Sequence, residues 1–104
     1  MIIPKSLEEL ASYVETGKHV FFFTADWCGD CVYIKPVMPE LEAEFPEYTF
    51  VQVDRDEFPD LASQWAIFGI PSFIVTENGK EKGRLVNKNR KTKAEVSDFI
   101  KSLT

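Results

Sequence analysis

Both cysteines of the chain lie in one five-residue segment, Trp27-Cys28-Gly29-Asp30-Cys31, with two residues between them. Thiols at that spacing can close a small disulfide and reopen it, which is two-electron chemistry that needs no cofactor. The segment follows His19 to Thr24, an apolar run suited to a central strand covered on both faces. A helix is expected to begin at the cysteines. Cys28 then takes its first positions, where unpaired N–H groups and the macrodipole favour an anion and lower a thiol pKa. Cys31, three residues on, shares that helix face and can reach the Cys28 sulfur. Cys28 is therefore the candidate nucleophile toward a substrate disulfide, and Cys31 the thiol that resolves the mixed disulfide. Two other uses of the pair stay open here. The cysteines could be inert core residues, or half of a tetrahedral zinc set completed by a second chain, since the one histidine, His19, begins a strand elsewhere.

The elements that must position this segment follow from patterning. Ser6-Leu7-Glu8-Glu9 has the form of a capping box, with Leu7, Leu10, Tyr13 and Val14 on one helix face and Gly17 as a stop. The helix opening at the cysteines should run to about Phe45, kinked where Pro36 and Pro39 remove hydrogen bonds. Tyr48 to Asp54 alternates as a strand does, Phe58 to Phe68 reads as a short helix, and Ser72 to Thr76 as another strand. Asn78-Gly79 is a strong hairpin signal leading into a strand that ends near Val86. Thr92-Lys93-Ala94-Glu95 is a second capping box, opening a helix with Val96, Phe99, Ile100 and Leu103 inward. Helices alternating with strands imply a three-layer α/β/α sandwich around a mixed sheet of four to five strands, formed by residues 1–104 as a single domain.

Composition narrows the chemistry further. Nine phenylalanines and two tryptophans are ample core for one domain of 104 residues. The net charge of −5 speaks against a general nucleic-acid surface. No stretch approaches the roughly 18 apolar residues of a membrane span, and the amino terminus does not read as a signal peptide. The expected compartment is the cytoplasm, where a permanent structural disulfide is disfavoured. Lys80 to Lys93 holds seven basic residues against Glu81 alone, while the rest of the chain is acidic. Such a run is ordinarily a solvated loop.

Taken together these residues resemble the thioredoxin family. Its W-C-G-P-C motif stands here as Trp27-Cys28-Gly29-Asp30-Cys31, and Pro36 follows the second cysteine by five residues, like the family's helix-kinking proline. Asp54 ends a strand, Gly69-Ile70-Pro71-Ser72 resembles G-I/V-P-T with its cis proline, and the closing hairpin and helix match. The resemblance covers nearly the whole chain, with an initial strand that is vestigial at Ile2 and Ile3. It implies that Trp27 is a flat wall beside the thiolate, with Gly29 lining the site. It further implies that Pro71 lies against the cysteines and leaves the main chain of Ile70 free to pair with an extended substrate.

Three positions depart from the family. Phe22 stands where a buried aspartate six residues before the first cysteine usually relays a proton, and Phe50 where its lysine partner falls, so both members of a costly buried pair are apolar. Asp30 replaces proline. As a solvated charge it suits a first helical turn; as a modulating residue it raises the Cys28 pKa, which makes the dithiol a stronger reductant, or serves Cys31 as a substitute base, while the resemblance implies that loss of the proline makes the pair more oxidising. Third, Val86 is followed by Asn87-Lys88-Asn89-Arg90-Lys91, which would give the substrate groove a basic rim favouring acidic partners or glutathione.

The resulting expectation is a monomeric thiol–disulfide oxidoreductase without cofactor or metal. It would reduce disulfide-bearing proteins, with electrons from a thioredoxin reductase or a low-molecular-weight thiol. The alternatives are a glutaredoxin-like or specialised disulfide reductase, and a binding module on the same fold.

Overall fold

The computed structural model describes residues 1–104. Ser6 caps α1 (Leu7–Glu15) by accepting the Glu9 amide N–H, and Gly17 takes φ 76° immediately after the helix. The capping box is only half formed, because the Glu9 carboxylate accepts from the Lys5 amide rather than from Ser6. Leu7 is also not a core residue: α1 meets the sheet from Leu10 onward, with Tyr13 and Val14 packed alongside, and Leu7 in the opening turn stays 54% exposed.

Strand β1 (Lys18–Thr24) is buried at every position after Lys18, as its apolar run requires. It pairs in parallel with β2 (Thr49–Asp54) and antiparallel with β3 (Ser72–Glu77), which pairs antiparallel with β4 (Lys80–Leu85). The mixed sheet therefore has four strands in the order β2-β1-β3-β4. The vestigial first strand survives as one parallel bridge, with Ile2 donating to the Phe50 carbonyl at 2.9 Å and accepting from Gln52 at 2.7 Å. At the opposite edge β4 is mostly exposed and carries Lys80, Glu81, Lys82 and Arg84, charges that discourage pairing with a further strand.

The predicted kinked helix is three pieces: α2 (Gly29–Ile34), a 3-10 turn (Lys35–Val37) and α3 (Met38–Glu44). Pro36 lies in the 3-10 turn and Pro39 in the opening turn of α3, so each missing N–H falls where an intrahelical bond is least missed. Helix α4 (Pro59–Gln64) is shorter than the predicted Phe58 to Phe68, since Pro59 sets its first turn and the left-handed Ala66 (φ 55°) ends it. Asn78 and Gly79 both have positive φ, as a tight hairpin turn requires, and the turn docks on α1 through Gly79 N–H to the Val14 carbonyl at 2.9 Å. Helix α5 (Lys93–Lys101) opens with the complete Thr92–Glu95 box.

Alternation along the strands divides the core into two layers. Phe21, Phe23, Val51, Val53 and Ile74 pack with Leu10 of α1, Ala62 of α4 and both cysteines. On the other face Val20, Phe22, Phe50, Phe73 and Val75 pack with Ile34, Met38 and Leu41 and with Val96 and Ile100 of α5.

Candidate active site

The cysteines sit where β1 ends and α2 begins. Cys28 is the N-cap of α2, with extended φ and ψ of −85° and 107°, and its Sγ accepts the Cys31 amide N–H at 3.2 Å. That donor would otherwise be an orphan of the helix start, and it points at the sulfur on which a thiolate would form. The two cysteines are joined as a disulfide with Cα atoms 5.2 Å apart. Cys28 is 7% exposed and Cys31 1%, so both are buried and Cys28 is the more accessible of the two. The order of attack and resolution expected from spacing thus has a steric basis.

Pro71 closes the site from the start of β3. The Ile70–Pro71 peptide bond is cis, and the Ile70 carbonyl oxygen lies 3.9 Å from Cys28 Sγ. Ile70 itself is buried against the cysteine layer. Gly69, just before it, approaches the Asn87–Lys88 peptide so closely that a Cβ would lie 2.5 Å from the Asn87 carbonyl carbon. A glycine is required there by contact, not by dihedral.

Trp27 is not core: it is 64% exposed, and its indole N–H donates to Asp56 Oδ2 at 2.7 Å, holding the ring beside Cys28. Gly29 is open, with nothing within 4 Å of the position a Cβ would take. Asp30 is engaged by the late loop: its Oδ1 accepts from Arg90 Nε at 3.0 Å, while the Arg90 guanidinium lies 4.3 Å above the Tyr33 ring. The carboxylate beside the cysteines is thereby balanced by a cation.

The expected basic rim needs correction. Arg90 is occupied by Asp30, and Lys91 is buried, 1% exposed, with its ammonium donating to the Asn87 carbonyl, Asn87 Oδ1 and the Asn89 carbonyl. Burial pushes the Lys91 pKa below its usual value, against the opposing pull of Glu95 and Asp30. Of the four residues Lys88 to Lys91, only Lys88 lines the groove. Sequence reasoning also missed two groove residues, Arg55 and Phe68, which line the same cavity beside Cys28. Arg55 directly follows the singled-out Asp54, but nothing local says which way its side chain runs.

The two replaced charges are apolar packing. Phe22 is fully buried and stacks on Phe73 with ring centroids 5.2 Å apart, in the layer that also holds Phe50. No carboxylate is among the buried residues.

The sequence matches the Thioredoxin family model over residues 2–102. A thioredoxin of Chlamydia trachomatis is 37% identical over 86 residues, covering 83% of this chain and 84% of that protein. An H-type thioredoxin of Picea mariana is 45% identical over 64 residues, 62% of this chain and 51% of that protein. The chain spans only 51% to 63% of the length of three plant H-type relatives. Among solved structures, Plasmodium falciparum thioredoxin superposes with a TM-score of 0.87 at 26% identity over the full length of both chains. Mitochondrial thioredoxin 3 of Saccharomyces cerevisiae in its oxidised form gives 0.84 at 27% identity, covering 98% of this chain and 94% of that one.

Proposed function

The chain belongs to the thioredoxin family, and on that premise we propose that it reduces protein disulfides by dithiol exchange through Cys28 and Cys31. The observation that carries this reading is the Cys28 sulfur at a helix start, the more accessible of the pair, held by the Cys31 N–H at 3.2 Å. In the reduced protein the same donor stabilises a Cys28 thiolate. The thiolate attacks one sulfur of the substrate disulfide; that bond breaks, and the departing sulfur takes a proton. Cys31 then loses its proton and attacks Cys28 Sγ, releasing the second substrate thiol. Two electrons pass to the substrate, and the protein is left with the Cys28–Cys31 disulfide.

Ile70 and cis Pro71 border the groove at Cys28, and pairing of an extended substrate segment with the Ile70 main chain would read shape rather than side chains. Regeneration takes two electrons from a thioredoxin reductase or a low-molecular-weight thiol. We place this cycle in a monomer in the cytoplasm; having no cysteine outside the exchange pair suits a reducing compartment.

The test is a disulfide-bearing protein substrate with dithiothreitol as terminal reductant. Wild type accelerates its reduction, Cys28→Ser abolishes the acceleration, and Cys31→Ser accumulates a mixed disulfide visible by mass. Failure of Cys31→Ser to trap substrate, with Cys28→Ser still active, removes the assignment. A second reading, a reductase specialised for small thiols, is favoured by the cations beside Cys28 and is separated from the first by its electron donor.

A further inference from the structure

The groove beside Cys28 holds two cations that the exchange chemistry does not use. Its cavity, about 430 Å³, is walled by Trp27 and Phe68, with Arg55 and Lys88 contributed from opposite ends of the chain's second half. Arg55 leaves β2 with its amide N–H bonded to the Thr24 carbonyl at 2.9 Å, which anchors the side chain's starting point. Its Nε is buried and has no hydrogen-bond partner. The six ion pairs of the molecule involve neither Arg55 nor Lys88. Lys88 is fixed at its backbone, because the Asn87–Lys88 peptide is packed on Gly69 and the Lys91 ammonium holds the Asn87 carbonyl.

The nearby carboxylates are in the opposite condition. Asp30, the only one lining the cavity, is paired with Arg90. Asp56 accepts the Trp27 indole N–H, and Asp54 Oδ1 accepts the amides of Asp56 and Glu57. These three carboxylates are thus engaged within the protein, and the two cations are not. A buried N–H donor without a partner is unfavourable until an acceptor arrives. The exposed rings of Trp27 and Phe68, 64% and 67% accessible, would exclude water from one side of such an acceptor and strengthen its attraction to the cations.

We propose that Arg55 and Lys88 form an anion subsite that selects disulfides carrying a carboxylate close to the reacting sulfur. The proposal rests on the exchange reading above and adds a substrate class to it. The carboxylate comes either from an acidic residue flanking a peptide disulfide or from a small acidic disulfide. Its role is capture and orientation; the sulfur chemistry is unchanged.

The experiment measures second-order oxidation of the pre-reduced protein by four probes. Two are peptide disulfides identical except for Glu or Gln beside the cysteine; two are small, glutathione disulfide and hydroxyethyl disulfide. Wild type should prefer the acidic member of at least one pair, and the preference should shrink as salt rises toward 0.5 M, where the Debye length is only about 4 Å. Arg55→Gln and Lys88→Gln should each reduce the acidic-to-neutral ratio by roughly 2- to 5-fold, the scale of one exposed ion pair. Lys82→Gln, on the distant β4 edge, should leave the ratio alone. A preference confined to the peptide pair assigns the carboxylate to protein substrates, and one confined to the small pair to low-molecular-weight thiols. Equal rates within both pairs in wild type overturn the subsite, as does equal loss on acidic and neutral probes in the variants. Reaction with none of the four removes the exchange reading itself, and the subsite with it.

Discussion

Lys91 is folded back onto Asn87: its Nζ donates to the Asn87 carbonyl at 2.9 Å and to Asn87 Oδ1 at 2.7 Å, with only 1% of the lysine exposed. The ammonium is an internal brace of the groove wall. Lys91→Met keeps the aliphatic bulk and takes the ammonium donor from the Asn87 and Asn89 carbonyls, a change costing about 1 kcal/mol. The denaturation midpoint in urea should fall accordingly. If the brace positions the groove, kcat/KM toward a protein disulfide should also fall while the Cys28/Cys31 potential holds.

Gly69→Ala tests the other side of the same contact. A Cβ would lie 2.5–2.6 Å from three backbone atoms of Asn87 and Lys88, and a backbone wall cannot swing aside as a side chain does. Overpacking of this kind costs about 1–3 kcal/mol. The expected result is a lower melting temperature with raised KM; an unchanged melting temperature would show that the wall yields freely.

The Asp30–Arg90 pair at 3.0 Å balances charge next to Cys28. Arg90→Gln leaves the carboxylate uncompensated and should raise the Cys28 thiol pKa, whereas Asp30→Asn should lower it. An unscreened charge roughly 7 Å away at an effective dielectric near 40 is worth on the order of 1 unit, an upper limit at this solvent-exposed site. Thiolate absorbance against pH reads both shifts, and the double variant should return near wild type. Identical titrations in all four proteins would rule out electrostatic tuning by this pair.

Phe22→Asp puts a carboxylate into the apolar layer made by Phe50 and Phe73. A buried, unpaired carboxylate should cost several kcal/mol, enough to threaten folding at ordinary temperature. Phe22→Asp with Phe50→Lys should recover part of that loss, because the charges then have each other. Chemical denaturation of both single variants and the pair closes the cycle; strict additivity would show that the two positions do not interact.

His19 makes stability pH-dependent. Burial between Tyr13 and Phe21 lowers its pKa below the ordinary 6.5, with only partial relief from the Gly17 backbone. The folded state therefore resists protonation more than the unfolded chain does. Its contribution is intact above about pH 6.5 and is lost as pH falls below that value toward the folded pKa. The urea midpoint should drop between about pH 7 and pH 5 in wild type, and His19→Phe should flatten that segment of the curve.

Much of this molecule was legible locally. The buried run of β1, the Asn78-Gly79 turn, the complete Thr92–Glu95 box and the proline break after α2 are each written within a few residues. So was the pairing of Cys28 with Cys31, since their spacing and their place after a strand let the two sulfurs meet with no distant partner. Leu7 and the ends of α4 were misread because burial depends on where a neighbouring sheet stops, which helical periodicity does not encode. The run from Lys88 to Lys91 shows the same limit in its charges. By composition it is one basic patch, yet in the fold Lys88 faces the groove, Arg90 pairs with Asp30, and Lys91 turns inward. The order of charges along the chain could not distinguish these fates, because each depends on an acceptor placed by tertiary or loop geometry. By itself the sequence determined the fold, the family and the pairing of the Cys28 and Cys31 sulfurs, all of which rest on short-range patterns. Only the tertiary structure decided which surroundings those sulfurs have, because Trp27, Arg55, Ile70, Lys88 and Arg90 meet around Cys28 from separate segments, brought together when two faces of one sheet are covered.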